Sequence, residues 1–146
     1  MTHRSKSTLF LIEQLIVIAV FAICAVACIS ILTSAYFTAN DSKATSNAIL
    51  IAESGAEVFK ATGGDSAAVA NFLGGNSGIA GSGTTFATVY YDSLWQVCGE
   101  AGASYIFHLV ADSPQFPDDF ALITGELYVG KITGEELVAF SVAVRG

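Results

Sequence analysis

Residues 15–32 (LIVIAVFAICAVACISIL) are eighteen consecutive residues without a charged side chain, and residues 9–12 add four apolar ones upstream. A helix at a water boundary needs a polar face and this run has none, so the sequence predicts a transmembrane helix. At 1.5 Å per residue, residues 9–32 would extend about 36 Å, enough to cross a hydrocarbon layer of ~30 Å with some tilt. His3, Arg4 and Lys6 precede the run, which predicts a cytoplasmic amino terminus and an extracytoplasmic remainder.

Composition agrees with a chain that lives partly in lipid: 53% of the 146 residues are hydrophobic, 13% are charged and the mean hydropathy is +0.60. From residue 40 onward twelve acidic side chains face four basic ones, Lys43, Lys60, Lys131 and Arg145. A surface of that sign repels phosphate backbones, so no nucleic acid is expected through a basic patch. Cys24 and Cys28 lie inside the apolar run and Cys98 stands alone, which makes no disulfide framework. With His3 and His108 the only histidines, and no metal-ligand spacing, neither a metal nor any cofactor is expected.

Within the apolar stretch Glu13, followed by Gln14, is out of place. A carboxylate in hydrocarbon costs on the order of 2.5–3.5 kcal/mol at mid-membrane, less near a helix end. Either Glu13 marks the membrane edge or a cation pairs with it inside the membrane. Two processing alternatives accompany a permanent anchor. A secretory signal fits poorly, because its apolar region is shorter, ~7–15 residues, and the small-residue choices near 25–27 lie inside the run. Lipoprotein processing at Cys28 would use Ala25-Val26-Ala27-Cys28, which lacks the usual leucine of a lipobox.

The string Leu9-Phe10-Leu11-Ile12-Glu13-Gln14-Leu15-Ile16-Val17-Ile18-Ala19 resembles the amino-terminal signature of type IV pilins and pseudopilins. In that family a short basic leader is removed by a membrane-embedded prepilin peptidase, the new terminal amine is methylated, and a glutamate follows shortly before an uninterrupted apolar helix. The resemblance implies a leader over residues 1–8, processing between Thr8 and Leu9, and a filament-assembly role for Glu13, which would meet the amine of a neighbouring subunit within the membrane. The family has glycine where this chain has Thr8, and usually phenylalanine where it has Leu9, which suggests a minor rather than an abundant subunit. Residues 9–32 would then exchange lipid for neighbouring helices through Leu15, Ile16, Ala19, Ala22 and Ala25, the alanines allowing close approach.

Past Leu32, Ala44, Ala48, Ile51, Gly55, Val58 and Phe59 recur at three- and four-residue steps, one buried stripe of an amphipathic helix over residues 33–62 that Gly63-Gly64 stops. With no proline over residues 9–61, a single helix about 80 Å long is the simplest reading. Asp65 is placed to cap a short helix over 66–73. Residues 74–83 read as a loop by composition, within a Gly-rich connection over 63–84; the Gly-Lys-Ser/Thr end of a phosphate loop is absent. Asn40-Asp41-Ser42 fits a glycosylation sequon but falls on a helix and is taken as chance.

Strand patterns follow at 85–91, 95–98, 104–111, 120–129 and 137–144, close enough in sequence to imply an antiparallel sheet over residues 85–146. In the last of them Val138, Phe140, Val142 and Val144 form the bulkier face and are assigned to the helix side. Gly130 to Gly134 reads as the preceding turn. The fold class is α+β, a long amino-terminal helix whose second half packs on a carboxyl-terminal antiparallel sheet, a pilin-like architecture.

No catalytic constellation stands out. Cys98 and His108 would make a nucleophilic pair only if the fold joined them, and His108 sits in a strand pattern where a structural role is commoner. Asp112, Asp118 and Asp119 flank a proline-containing loop but match no calcium-loop spacing, so a solvated turn is favoured. Tyr90, Tyr91 and Trp95 read as core packing before an exposed aromatic contact. The expectation is a non-enzymatic filament subunit of a pilus-like, secretion or DNA-uptake system. Its partners would be other pilin or pseudopilin subunits, a prepilin peptidase, membrane lipid and the inner-membrane assembly machinery. Its place would be the cytoplasmic membrane and then a filament at the cell surface or in the envelope. The competing expectation is a single-pass membrane-anchored or lipidated surface binding domain that does not polymerise.

Overall fold

The structure is a computed structural model that describes residues 3–80, 83–112 and 122–145. It divides into two compact units, 1–42 and 43–146. Helix α1 (His3–Ala61) contributes to both. It includes the described part of the expected leader as well as the expected 9–61.

In the first unit none of the described side chains of α1 is buried. Leu9, Phe10, Leu15, Ile16, Ile18, Phe21 and Leu32 are all exposed, and none of the most apolar window is buried. This helix is long and apolar enough to cross a membrane.

In the second unit α1 presents small residues to the sheet. Ala44, Ala48, Ala52, Gly55, Ala56 and Phe59 are buried at three- and four-residue steps. The expected stripe is there, but Ala52 and Ala56 complete it while Ile51 and Val58 are only half-buried at its margins. Small residues are required because the sheet supplies the bulk: a Cβ added to Gly55 would lie 2.8 Å from Phe107 Cζ, inside van der Waals contact. Phe59 in turn lies over Gly125, whose missing Cβ would be 3.0 Å from its ring. The helix ends as expected, with Gly63 and Gly64 at φ +69° and +96° and the Gly64 N–H donating to the Phe59 carbonyl at 2.8 Å.

Helix α2 (Ser66–Leu73) matches its expected bounds. The Asp65 carboxylate accepts from the Ala67 N–H at 2.9 Å, and Gly74 at φ +80° closes the far end.

Among the described residues six strands follow: β1 (Asn76–Ile79), β2 (Thr85–Tyr91), β3 (Val97–Cys98), β4 (Tyr105–Ala111), β5 (Leu122–Lys131) and β6 (Glu136–Arg145). A 3₁₀ turn, Glu100–Gly102, separates β3 from β4. All pairings are antiparallel in the order β1-β2-β4-β5-β6, with β3 folded back on β2 beyond the end of β1. The reading of 74–83 as loop is corrected by β1, which pairs Asn76 to Thr88 and Ile79 to Thr85. Gly78 permits it, since a Cβ there would collide with the Phe86 ring.

The expected strand at 95–98 shortens to two residues because Trp95 belongs to a turn. It has φ +62°, and Asp92 Oδ1 accepts from the N–H groups of Leu94 and Gln96 at 2.8 and 2.9 Å. The expected strand start at Phe120 lies outside the described residues. On β6, Val142 is buried and Val138 and Val144 pack on the core, as assigned. Phe140 shares their face but keeps 37% of its surface, because it lies at the flank of α1 beside Ile49 and Glu53.

Phe107, Leu109, Val89 and Val129 project from alternate positions of the central strands onto Phe59, Val69 and the alanines of α1. Each such large side chain contributes about 1.5–3 kcal/mol of hydrophobic stabilisation.

Candidate functional site

The helical part of the site is built by periodicity alone. At 100° per residue, Leu15, Ala19 and Ala22 fall within 60° of one another, Glu13 lies on nearly the opposite side with Val17 and Val20, and Ile16 falls midway between the two faces. Thr8, Leu9, Glu13, Leu15, Ile16, Ala19 and Ala22 are all exposed, and Ala25 is half-buried by its own helix neighbours. The Glu13 carboxylate and the alanine stripe therefore do not form one patch. They are two faces of one helix.

On the sheet, the surface away from the helix carries two rows set by register. One runs Asn76, Thr88, His108, Tyr128, Ala139 across five strands; the other runs Gly78, Phe86, Val110, Glu126, Ser141. His108, Val110, Glu126, Tyr128, Ala139 and Ser141 line a shallow depression of about 390 Å³. Thr88 Oγ1 and His108 Nδ1 are 2.9 Å apart, and partial burial holds the imidazole below its ordinary pKa. At neutral pH His108 is thus a neutral hydrogen-bonding group. Tyr128 lies along its own strand over Gly130, where any Cβ would strike its phenol oxygen.

Cys98 and His108 are not brought together. Cys98 pairs with Tyr90 on one edge of β2, while His108 pairs with Thr88 from β4 on the other edge. His108 has Thr88 as its partner instead.

Tyr91 is buried, its hydroxyl pushed up to about 12 by desolvation, and Trp95 stacks on Tyr105 with ring centroids 4.1 Å apart. Two of the three aromatics assigned to packing, Tyr91 and Trp95, are packed; Tyr90 is half-buried on the opposite face. Asp112 accepts from the Thr84 hydroxyl at 3.3 Å, while Asp118 and Asp119 lie outside the described residues. Among the described residues no three of His, Cys, Asp and Glu gather into a set able to hold a metal ion.

The outer sheet face went unnoticed in the sequence. Its signal was the alternation Ile106, His108, Val110 beside Thr124, Glu126, Tyr128, which becomes a surface only once the strands are aligned. No protein-family model, curated protein or solved structure matches the chain.

Proposed function

We propose that this chain is a minor pilin or pseudopilin, a non-enzymatic subunit held in the cytoplasmic membrane and assembled through its apolar helix into an extracytoplasmic filament. The observation that carries the reading is Glu13 on a bare helix. An ionisable side chain stands near one end of a surface apolar on every side, in a segment none of whose described side chains is buried. A cation supplied by a second subunit, the amine of its Leu9, would offset the cost of burying Glu13 and would favour a correctly staggered neighbour over a misplaced one. The opposite stripe of Leu15, Ala19 and Ala22 offers a second neighbour a close approach. The helix-on-sheet architecture of residues 43–146 supports the same reading.

The test has two parts. Intact mass and amino-terminal sequence of the membrane-extracted protein, made with and without a prepilin peptidase, are expected to give a methylated chain beginning at Leu9 only with the peptidase. Glu13→Ala is expected to insert normally and to be lost from sheared filaments. An unprocessed chain that is indifferent to Glu13→Ala would replace this reading with a membrane-anchored surface domain, and a modified terminus at Cys28 with a lipoprotein.

A further inference from the structure

The apolar run stops at Leu32, yet residues 33–40 carry no charge. Their threonines turn inward: Thr33 Oγ1 donates to the Ile29 carbonyl at 2.9 Å and Thr38 Oγ1 to the Ser34 carbonyl at 3.0 Å. A hydroxyl satisfied by its own helix can be carried into an apolar layer far more readily than one that needs water. Next to them stand Tyr36 and Phe37, 72% and 62% exposed, with rings edge to face at 6.2 Å.

A span over residues 9–32 leaves two misfits. Glu13 and Gln14 lie about 6 Å or more inside the hydrocarbon, and Tyr36 and Phe37 stand in water about 6 Å beyond its far edge. One shift of the helix by about a turn removes both. Residues 14–36 extend about 35 Å, again matched to a ~30 Å core with tilt, and now place Glu13 at the cytoplasmic boundary and the aromatic pair at the opposite one.

We propose that, before assembly, the lipid-embedded segment is residues 14–36 and that Tyr36 with Phe37 forms an interfacial anchor on phospholipid. The phenol oxygen sits among the headgroups and the Phe37 ring at the top of the acyl chains, the layer where amphipathic aromatics are most stable. The proposal rests on the membrane reading above. It adds where the helix stops, and it leaves Glu13 at an aqueous boundary until a neighbour takes it deeper.

Depth-dependent quenching distinguishes the two levels of inference. The full chain carrying Tyr36→Trp, and separately Val26→Trp, is reconstituted in phosphatidylcholine–phosphatidylglycerol vesicles whose acyl chains are brominated either near the headgroup or near the chain end. Emission is compared with the parent, whose single tryptophan is Trp95. The expected result is a larger loss from shallow than from deep bromines for Tyr36→Trp, and the reverse for Val26→Trp. No loss for Tyr36→Trp while Val26→Trp is quenched would overturn the anchor and keep the membrane span, as would deeper quenching at both. No loss for either would remove the membrane span itself.

Discussion

Between residues 9 and 37 the helix turns its largest side chains outward, whereas between 44 and 59 it turns mostly its smallest inward. Leucines, isoleucines and phenylalanines cover the first stretch on all sides. In the second, alanines and Gly55 face a sheet that brings Phe107 and Leu109 to them, and Phe59 reaches back, with Ile51 and Val58 at the margins. Side-chain bulk is placed wherever the helix must supply the apolar mass itself, and withheld where a partner supplies it. One continuous helix thus obeys two packing regimes, and the same substitution should mean different things in each.

The sharpest contrast is a charge in place of alanine. Ala52→Asp buries a carboxylate with no partner and is expected to cost more than about 4 kcal/mol, abolishing the cooperative unfolding transition followed by Trp95 emission in detergent. Ala22→Asp should leave that transition within about 0.5 kcal/mol and instead lower the share of chain found in the membrane fraction. If both behaved alike, the separation into two regimes would be wrong.

Removing an aromatic ring comes next. Phe59→Ala is expected to destabilise the 43–146 unit by about 3–5 kcal/mol in denaturant titration, and Phe37→Ala not at all. Gly55→Ala tests how tightly the sheet closes: with Phe107 2.8 Å from the new methyl, a loss of about 1–3 kcal/mol is expected.

The smallest effect is the titration of two groups in the packed unit, His108 and Tyr91. His108 has a folded pKa below its ordinary 6.5, so its contribution to stability is complete above that value and lost as pH falls through the folded pKa. Tyr91 has its folded pKa raised, so its contribution is complete below 10 and lost as pH rises from 10 to about 12. Urea midpoints measured across pH should decline at both ends, and His108→Gln should flatten the acid side.

Legibility followed the range of the forces involved. Helix α2 and strand β2 were read to the residue because Asp65, Gly74 and the alternation of 85–91 act within a few positions. Strand β1 was missed because Asn76-Ser77-Gly78-Ile79 has no strand signal of its own; its pairing comes from β2 and from the Phe86 ring that Gly78 makes room for. Trp95 read as strand, but the Asp92 carboxylate folds its backbone into a turn. Glu13 was visible as an exception to an apolar run. The row Thr88, His108, Tyr128 was not, since its members come together only through pairings across β2, β4 and β5.

The order of the sheet also bears on how the chain is made. Every strand after the first pairs with one that precedes it in sequence: β2 with β1, β3 and β4 with β2, β5 with β4, β6 with β5. The packing helix and α2 come earlier still. A chain emerging from its amino terminus can therefore build this domain as it is synthesised, each new strand finding its template already in place. Loop closures stay short, and from β2 onward every strand has one partner already translated when it emerges. The strand path ends at β1 and at β6, and of these two edges that of β6 appears last.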